Sequence, residues 1–373
     1  MSDEHSAPTV LTIDVSAIVA NWRTLHDVAT TAQCAAVVKA NAYGLGVARV
    51  APALIAAGCD AFFVATPDEA LMLRALSPQV EIFCLNGLLP GVAPDFVRHR
   101  ITPVLNQLDE IIEWRARARQ LHSPLSAIIH IDTGMNRLGL SADERRMLAD
   151  DPDSLSGVTI RAWLSHLACA DDAGDGLTPT QLGRFRLALG GLPPAPASLA
   201  NSSGVFRGRP FHFDMVRPGC ALYGVNPTPE TDNPMRPVVR WQARVLQVRS
   251  VDAPMTVGYG AAYPVSRPGR LATIAVGYAD GYPRALSERA SVYVYGENGL
   301  EAIVAPVVGR ISMDLTTIDV SDLPEGAVRP GMLVELIGSH HSVDQLAQEA
   351  GTIGYEILTG LGARSHRIYV EAA

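Results

Sequence analysis

Short apolar runs alternate with helical patterns from Gln33 to Gly224. The stretches Pro67–Leu76 and Gln107–Leu121 have helical spacing, and Ser141–Asp150 opens with a serine N-cap and acidic residues in its first turn. Strands that alternate with helices in this way predict an α/β fold, a (β/α)8 TIM barrel. The predicted strands are Ala35–Lys39, Ala61–Ala65, Glu81–Leu85, Ile101–Leu105, Ser126–Asp132, Thr159–Leu167, Pro196–Ala200 and Phe213–Arg217, of which the last two are weak.

The pattern changes after Gly224. A segment rich in proline and polar residues, VNPTPETDNPMRP, is typical of a domain edge. Beyond it, valine-rich runs such as VVRWQARVLQVRSV and ASVYVYG come close to period two and are separated by turn residues. We therefore predict a barrel domain over residues 1–225 and a mainly antiparallel β domain over residues 226–373. An early strand near residues 10–15 is a candidate to pair with the C-terminal sheet.

Composition and charge mainly exclude certain partners and locations for the protein. The net charge is −8 without a basic stripe, which argues against nucleic acid as a partner. No apolar stretch reaches the length of a membrane span, and the acidic, polar start MSDEHSAPTV does not resemble a secretory signal. The five cysteines form no CxxC pair, which indicates free thiols in a cytoplasmic protein. The histidine spacing favours no metal site.

Polar residues gather at the predicted C-terminal strand ends, where barrel enzymes build their sites. The loops after the seventh and eighth strands are also where such barrels often bind phosphate. This combination is suited to bind pyridoxal 5′-phosphate, since it offers a lysine amine, two such loops and an arginine. The residues at these ends are Lys39, Tyr43, His130, Asp132, Arg137, His166, Asn201, Ser202, Ser203, Arg217, Gly219 and Cys220.

Each of these residues also has an ordinary structural interpretation. Lys39 alone fits a solvated strand end, and His166 alone fits a core histidine with satisfied nitrogens. Arg217 precedes a proline and fits a surface arginine, while Tyr259 between two glycines fits a hairpin aromatic. Only their combination favours a cofactor site.

The chain resembles bacterial alanine racemases, which depend on pyridoxal phosphate and have fold type III. The resemblance runs from Thr12 to Tyr369 and rests on motifs that occur in the family's order: AVVKANAYGLG, HIDTGMNRLG, LSHLACAD, ANSS, MVRPGCALYG, VGYGAAY, VGYADGYPR, GRISMD and TIGYEILTGLGAR. It implies interconversion of L-alanine and D-alanine by two bases, for peptidoglycan synthesis or alanine catabolism. It also implies a homodimer whose active sites are shared between subunits.

The resemblance implies roles residue by residue. Lys39 corresponds to the lysine that holds the cofactor aldehyde and serves the D-enantiomer as base. Tyr259 corresponds to the opposite base, contributed by the second subunit. The implied cofactor-binding residues are Lys39, Tyr43, Arg137, His166, Asn201, Ser202, Arg217, Gly219, Cys220 and Tyr355. Arg137 and Met313 correspond to substrate-binding residues, and the implied entrance residues are Asp171, Tyr278, Arg284 and Arg310.

His130 departs from the family pattern, because many relatives carry at this place a carbamylated lysine that orients the neighbouring arginine. Our hypothesis is that neutral His130, or a small anion such as chloride near Arg137, takes over this role. Two other functions stay open: a racemase of broader specificity that includes serine, and a non-catalytic barrel that binds pyridoxal phosphate. A related decarboxylase is a weaker alternative, since it would want an acidic partner where this chain has Arg217.

Overall fold

The computed structural model describes residues 4–151, 153–295 and 302–371. It divides into two compact units, Ile18–Arg236 and a second unit of residues 4–17 and 237–371. In the described ranges, none of the helices combines the length and the apolar character that crossing a lipid bilayer requires.

The strands and helices are numbered in chain order. The strands are β1 (Thr9–Asp14), β2 (Gln33–Cys34), β3 (Ala36–Val37), β4 (Ala61–Val64), β5 (Glu81–Cys84), β6 (Thr102–Leu105), β7 (Leu125–His130), β8 (Val158–Leu164), β9 (Ala197–Ser198), β10 (Met215–Val216), β11 (Val239–Val251), β12 (Met255–Val257), β13 (Tyr263–Val265), β14 (Gly269–Ile274), β15 (Ser291–Tyr295), β16 (Ala302–Pro306), β17 (Thr316–Asp319), β18 (Leu333–Ile337) and β19 (His366–Val370). The helices are α1 (Val15–Ala29), α2 (Lys39–Tyr43), α3 (Val47–Ala56), α4 (Pro67–Leu76), α5 (Ala93–His99), α6 (Leu108–Leu121), α7 (Ala142–Asp150), α8 (Leu177–Leu189), α9 (Ser202–Phe206), α10 (Val343–Ala350) and α11 (Gly354–Gly360).

The first unit is a closed parallel barrel. Its sheet runs in the order β2-β10-β9-β8-β7-β6-β5-β4-β3. The two edge strands β2 and β3 are successive pieces of one stretch, separated only by Ala35, so the sheet closes on itself. The β4 residues are all buried, as expected for a parallel strand covered on both faces, and the Phe63 and Phe83 rings lie 4.7 Å apart. The predicted barrel is confirmed.

Two helices of the barrel begin at a local sequence signal, a capping box. Helix α4 has the predicted bounds and begins with a capping box, in which Thr66 and Glu69 satisfy each other's backbone amides. Helix α7 begins with the same arrangement between Ser141 and Glu144, so the predicted serine N-cap is correct. Such local pairs of residues explain why the starts of α4 and α7 are predictable.

The predicted strand ends are less accurate. The first strand was expected to reach Lys39, but β3 ends at Val37, and Lys39 opens the short helix α2. The sixth was expected to reach Leu167, but β8 ends at Leu164, which leaves His166 in the following loop. In the first case the backbone leaves the extended conformation at Val38, where ψ is 19°, just before the positive φ angles of Ala40 to Tyr43.

The second unit is built on a mainly antiparallel sheet, as predicted. The main path has the order β16-β15-β18-β11-β1-β19, and β14 and β17 extend it from β11. The N-terminal strand β1 pairs antiparallel with β11 and parallel with β19. At its centre, the buried Trp241 donates its indole N–H to Ser365 Oγ at 3.1 Å.

Residues 226–236 belong to the barrel unit, although the sequence places the domain boundary after residue 225. The buried Asn21 side chain explains this. Its amide nitrogen donates to the carbonyl of Leu222 at 3.2 Å and that of Arg236 at 3.0 Å, and its oxygen accepts the Arg236 amide at 2.7 Å. The segment is therefore tied to the barrel through α1.

Candidate active site

Lys39 stands at the start of a left-handed helical turn. The next four residues, Ala40 to Tyr43, have φ angles of 53°, 54°, 56° and 53°, although none is glycine. Inside the turn, Ala42 N–H donates to Val38 O at 2.9 Å and Gly44 N–H donates to Ala40 O at 2.7 Å. A left-handed residue other than glycine costs about 1–2 kcal/mol. Contacts from outside the turn must offset this strain.

Several contacts hold the turn in place. The Glu69 carboxylate accepts the Ala40 amide at 2.6 Å, and the Asn41 side chain accepts the Val47 amide at 2.9 Å. The Tyr43 ring stacks on Tyr223 with 4.6 Å between centroids. The turn is therefore fixed at its first, second and fourth positions.

The Lys39 amine has a lowered pKa. Burial is the largest cause, the Arg137 charge lowers the pKa further, and the Glu69 carboxylate opposes both. A lowered pKa leaves more of the amine unprotonated near neutral pH, which is the form that attacks an aldehyde. Burial also raises the pKa of the neighbouring Tyr43, so its phenol stays neutral.

Lys39 is the only lysine in the chain. Of the 30 lysine and arginine residues, 29 are arginine. This count is a sequence signal independent of the motifs, and it leaves a single side-chain amine available for covalent chemistry.

Arg217 is a buried cation whose hydrogen-bond acceptors are all neutral. Its guanidinium donates to Ser165 O at 2.6 Å and to Ser198 Oγ, and it lies 3.4 Å from His166 Nδ1. Over ranges 4–151, 153–295 and 302–371, no carboxylate forms an ion pair with it. Burial lowers its pKa to about 9, so it still carries its charge at neutral pH. A buried positive charge without a carboxylate partner is suited to bind an electron-rich ligand atom.

His166 lies beside Arg217 and is neutral. Burial lowers its pKa well below the usual value, and the charges on Arg217 and Arg137 lower it further. Its carbonyl accepts the Gln181 side-chain amide at 2.9 Å, which anchors the loop after β8. This imidazole therefore offers a flat, uncharged surface next to the buried arginine.

His130 is held in one tautomer by Asn106. The Asn106 amide nitrogen donates to Leu85 O at 3.1 Å and to Val104 O at 2.8 Å, so its oxygen faces His130 Nδ1 at 2.9 Å. The proton must then sit on Nδ1, which leaves Nε2 as an acceptor. Burial lowers the His130 pKa to about 4, with the Arg217 charge as the next cause, so the ring is neutral.

The loop that carries Arg137 closes onto the end of β7. Leu140 N–H donates to His130 O at 2.8 Å, and Asp132 N–H donates to Leu140 O at 3.0 Å. At Gly139, where φ is +104°, a Cβ would lie 3.0 Å from His130 Cδ2. This close approach requires glycine and brings the exposed Arg137 into the neighbourhood of His130.

The two loops predicted to bind phosphate meet in the structure. The buried Ser202 hydroxyl accepts the Gly219 amide at 2.9 Å and the Ala221 amide at 3.3 Å. A Cβ at Gly219 would overlap the Tyr43 hydroxyl, so only glycine fits there. Asn201 caps α9 by accepting the Gly204 amide at 2.9 Å. Hydroxyls and amides from three loops thus gather in a space that a side chain at Gly219 would fill.

Ser203 and Cys220 are buried in the barrel unit, directly after Ser202 and Gly219. The other predicted site residues lie in the second unit, except Asp171, which is exposed in the loop after β8. Tyr278 N–H donates to Ser312 O at 3.1 Å and Ala279 N–H donates to Met313 O at 3.0 Å, which joins two predicted loops. The Arg310 guanidinium lies against Gly260, beside Tyr259, a residue that is 70% exposed. The exposed Arg284 and the half-buried Tyr355 lie in a short 3-10 turn and in α11, respectively.

Two contacting residues were missed by the sequence analysis. In the sequence, Glu69 is fully explained by the capping box of α4, and nothing there indicates its second contact, with the Lys39 turn. Asn106 directly follows β6, so its position at a strand end is a signal that could have singled it out. Both act through long-range contacts that one sequence does not reveal.

Family comparison agrees with this geometry. A model described as "Alanine racemase, N-terminal domain" matches residues 13–227, and one described as "Alanine racemase, C-terminal domain" matches residues 238–369. The chain belongs to the alanine racemase family. The predicted family is thereby confirmed.

Relatives named alanine racemase match over nearly their full length. One from Methylobacterium nodulans is 49% identical over 363 residues, covering 97% of this chain and 96% of the relative. One from Agrobacterium fabrum, named "Alanine racemase, catabolic", is 47% identical and covers 97% of this chain and 92% of the relative. A crystal structure of alanine racemase from Bartonella henselae with covalently bound pyridoxal phosphate has a TM-score of 0.93 and 44% identity, covering 98% of this chain and 100% of that one.

Proposed function

We propose that this protein is an alanine racemase that interconverts L-alanine and D-alanine with pyridoxal 5′-phosphate. Its family membership and full-length relatives support the activity. The observation that carries the proposal is the buried Arg217 guanidinium, whose acceptors among the described residues are all neutral. A decarboxylase of related fold would want an acid at this place, whereas an arginine can donate a hydrogen bond but does not readily give up a proton.

The residues present fit the cofactor. Lys39 would bind the aldehyde, Arg217 would face the ring nitrogen, and Tyr43, Ser202 and Gly219 would hold the phosphate. Cys220, Asn201 and Tyr355 would support the phosphate, while His166 would pack beside the ring. Bound pyridoxal phosphate supplies the electron-withdrawing group that makes the α-proton of the attached amino acid acidic.

Two bases on opposite faces explain racemisation most simply, because one base would have to cross the substrate plane. Lys39 would move the proton on the D-face, and Tyr259 on the L-face. Arg137 and Met313 would orient the substrate carboxylate, and Asp171, Tyr278, Arg284 and Arg310 would line the entrance. Tyr259 would come from a partner subunit, which makes the working form a homodimer with shared sites. The high exposure of Tyr259 is consistent with such a role.

His130 would orient Arg137 as a neutral acceptor. The Asn106 contact supports this version, because it leaves Nε2 of His130 free of a proton. The alternative is a small anion near Arg137. Activity that depends on halide concentration, with anion density beside Arg137 in a crystal, would favour the anion instead.

None of the five cysteines, which all lie in the described residues, forms a disulfide, and this supports work in the cytoplasm, where thiols stay reduced. There the enzyme would supply D-alanine for peptidoglycan or take part in alanine catabolism.

The test is a racemisation assay with L-alanine and L-serine, with and without added cofactor. We expect turnover of L-alanine that requires the cofactor and is lost in Lys39→Ala. No turnover of any amino acid, despite a bound cofactor chromophore, would refute the activity. Comparable turnover of L-serine would favour a racemase of broader specificity.

Mixing Lys39→Ala with Tyr259→Phe tests the shared site. Hybrid dimers should regain one working site, since each subunit lacks a different base. No recovery despite verified subunit exchange would contradict the sharing of residues between subunits.

A further inference from the structure

The Glu69 carboxylate joins two separate segments of the barrel. Its Oε1 accepts the Ala40 amide at 2.6 Å, in the left-handed turn. Its Oε2 accepts the Ala65 amide at 2.8 Å and the Thr66 amide at 3.3 Å, at the start of α4. One side chain thus ties the turn that contains Lys39 to the end of β4 and to α4.

We propose that Glu69 is a positioning residue for Lys39, which holds the strained turn to α4 and sets the charge around the lysine amine. The inference rests on the proposed function in one respect, namely that Lys39 is the residue that binds the aldehyde. Helix capping alone would need only the Thr66 side of the carboxylate. The additional contact to Ala40, the shortest of the three, has no part in the capping box.

This bridge requires a carboxylate, because both of its oxygens accept hydrogen bonds. A glutamine has one carbonyl oxygen and one NH2 group, so its NH2 would meet an amide donor on one side of the bridge. Glutamine at this position can hold the turn or the helix start, but not both. Aspartate keeps two acceptors and the charge, yet is one methylene too short to span the same distance.

The negative charge of Glu69 opposes a positive charge near the Lys39 amine. The Arg137 charge lowers the pKa of the Lys39 amine, and the Glu69 charge raises it. The nearby His166 imidazole is neutral because burial lowers its pKa, and the Cys84 thiol is neutral because burial raises its pKa to about 12. Glu69 is therefore the group that opposes Arg137 at the lysine amine.

The single lysine makes a direct test possible. Because Lys39 is the only lysine, protein labelled with [15N]lysine gives one side-chain amine to follow by NMR titration in the apoprotein. The second measurement is the rate at which the apoprotein captures pyridoxal phosphate, followed by absorbance. Asp68→Asn is the matched control, since it removes one charge from the neighbouring, exposed position in the same helical turn.

We expect Glu69→Gln to lower the titration midpoint of Lys39 by about half a pH unit, because an opposing negative charge is lost. Glu69→Asp keeps the negative charge, so the titration midpoint of Lys39 should stay at the wild-type value. Cofactor capture should slow about tenfold or more, because the turn is no longer tied in place. Asp68→Asn should change neither. Thermal unfolding of each variant shows that it is folded before titration.

The inference fails if Glu69→Gln moves the midpoint no further than Asp68→Asn does, or if Glu69→Asp captures the cofactor at the wild-type rate. Failure of the proposed function looks different. A wild-type protein that binds no pyridoxal phosphate, but whose Lys39 midpoint moves in Glu69→Gln, would refute the function and leave the electrostatic effect of Glu69 in place.

Discussion

Two arginines of the same barrel have opposite surroundings. At the N-terminal strand ends, Arg161 donates from Nε and Nη2 to the two Glu81 oxygens, each at 2.7 Å, and from Nη2 to Gln33 at 3.0 Å. At the C-terminal strand ends, every acceptor of Arg217 within the part of the chain that the structure describes is neutral. One end of the barrel balances its charge internally, and the other leaves a positive charge for a ligand to balance.

The difference predicts opposite consequences for stability and activity. A bidentate ion pair that is 31% and 40% exposed stabilises modestly, because solvent screens it. A buried cation without a counter-charge costs several kcal/mol, part of which its hydrogen bonds recover. The site end therefore carries a cost in stability that the opposite end does not.

The largest expected effect comes from Arg217→Met. We expect racemisation to fall by about 100-fold or more, since a preorganised charged donor at the cofactor is lost. The free energy of unfolding of the apoprotein should stay the same or rise, because an uncompensated buried charge is removed. Steady-state kinetics and urea unfolding measure the two quantities. A large loss of stability in this variant would contradict the comparison.

Arg161→Met should show the reverse pattern. Its loss leaves Glu81 without its ion partner, and we expect the free energy of unfolding to fall by about 1 kcal/mol after solvent screening. Racemisation should stay close to the wild-type rate, because the pair lies at the opposite end of the barrel from Lys39. The same kinetic and urea measurements apply, and a strong loss of activity would indicate that the two ends are coupled.

The Glu81 pair should also give a pH signature. Burial raises the Glu81 pKa, but the hydrogen bonds and charge of Arg161 and the hydrogen bond from Gln33 outweigh it, so the net pKa is lowered. Because the folded-state pKa lies below the unfolded value of about 4.3, this stabilisation is present above that pH and is lost as the pH falls through the folded-state pKa. Urea unfolding of wild type and Glu81→Gln should therefore differ most near neutrality and converge in acid. A constant difference at all pH values would contradict this assignment.

The smallest expected effect concerns the backbone at the site end. Ala40 and Ala116 are both exposed alanines, one in the left-handed turn and one within the right-handed helix α6. Ala116→Gly should cost about 1 kcal/mol in unfolding free energy. Ala40→Gly should instead raise it by about 0.5 kcal/mol, since relief of the left-handed strain exceeds the added freedom of the unfolded chain. Equal losses in the two variants would mean that the turn is not strained.

Sequence patterns predict the barrel because local features determine much of it. The residues of the apolar run of β4 are close together in the sequence, and so are Thr66 and Glu69 of the capping box. The left-handed turn could not be predicted, since KANAY contains no glycine and only Asn41 commonly adopts such angles. Its stability depends on Glu69, which lies 29 residues away along the chain.

The site shows the same limit. Motifs identified Lys39, Ser202 and Arg217, which the barrel brings to one set of strand ends. They did not reveal that no carboxylate of the described residues pairs with Arg217, or that Asn106 fixes the His130 tautomer. Those properties depend on side chains that only the folded barrel brings together.

The solitary amine of Lys39 has a practical consequence. Guanidinium groups stay protonated and do not condense with aldehydes as amines do, so the 29 arginines offer the cofactor no alternative attachment point. Apart from the terminal amine, each chain can take up one aldehyde covalently and no more. The absorbance of cofactor captured at lysine therefore counts competent subunits directly, and excess aldehyde finds no lysine on the protein surface to modify.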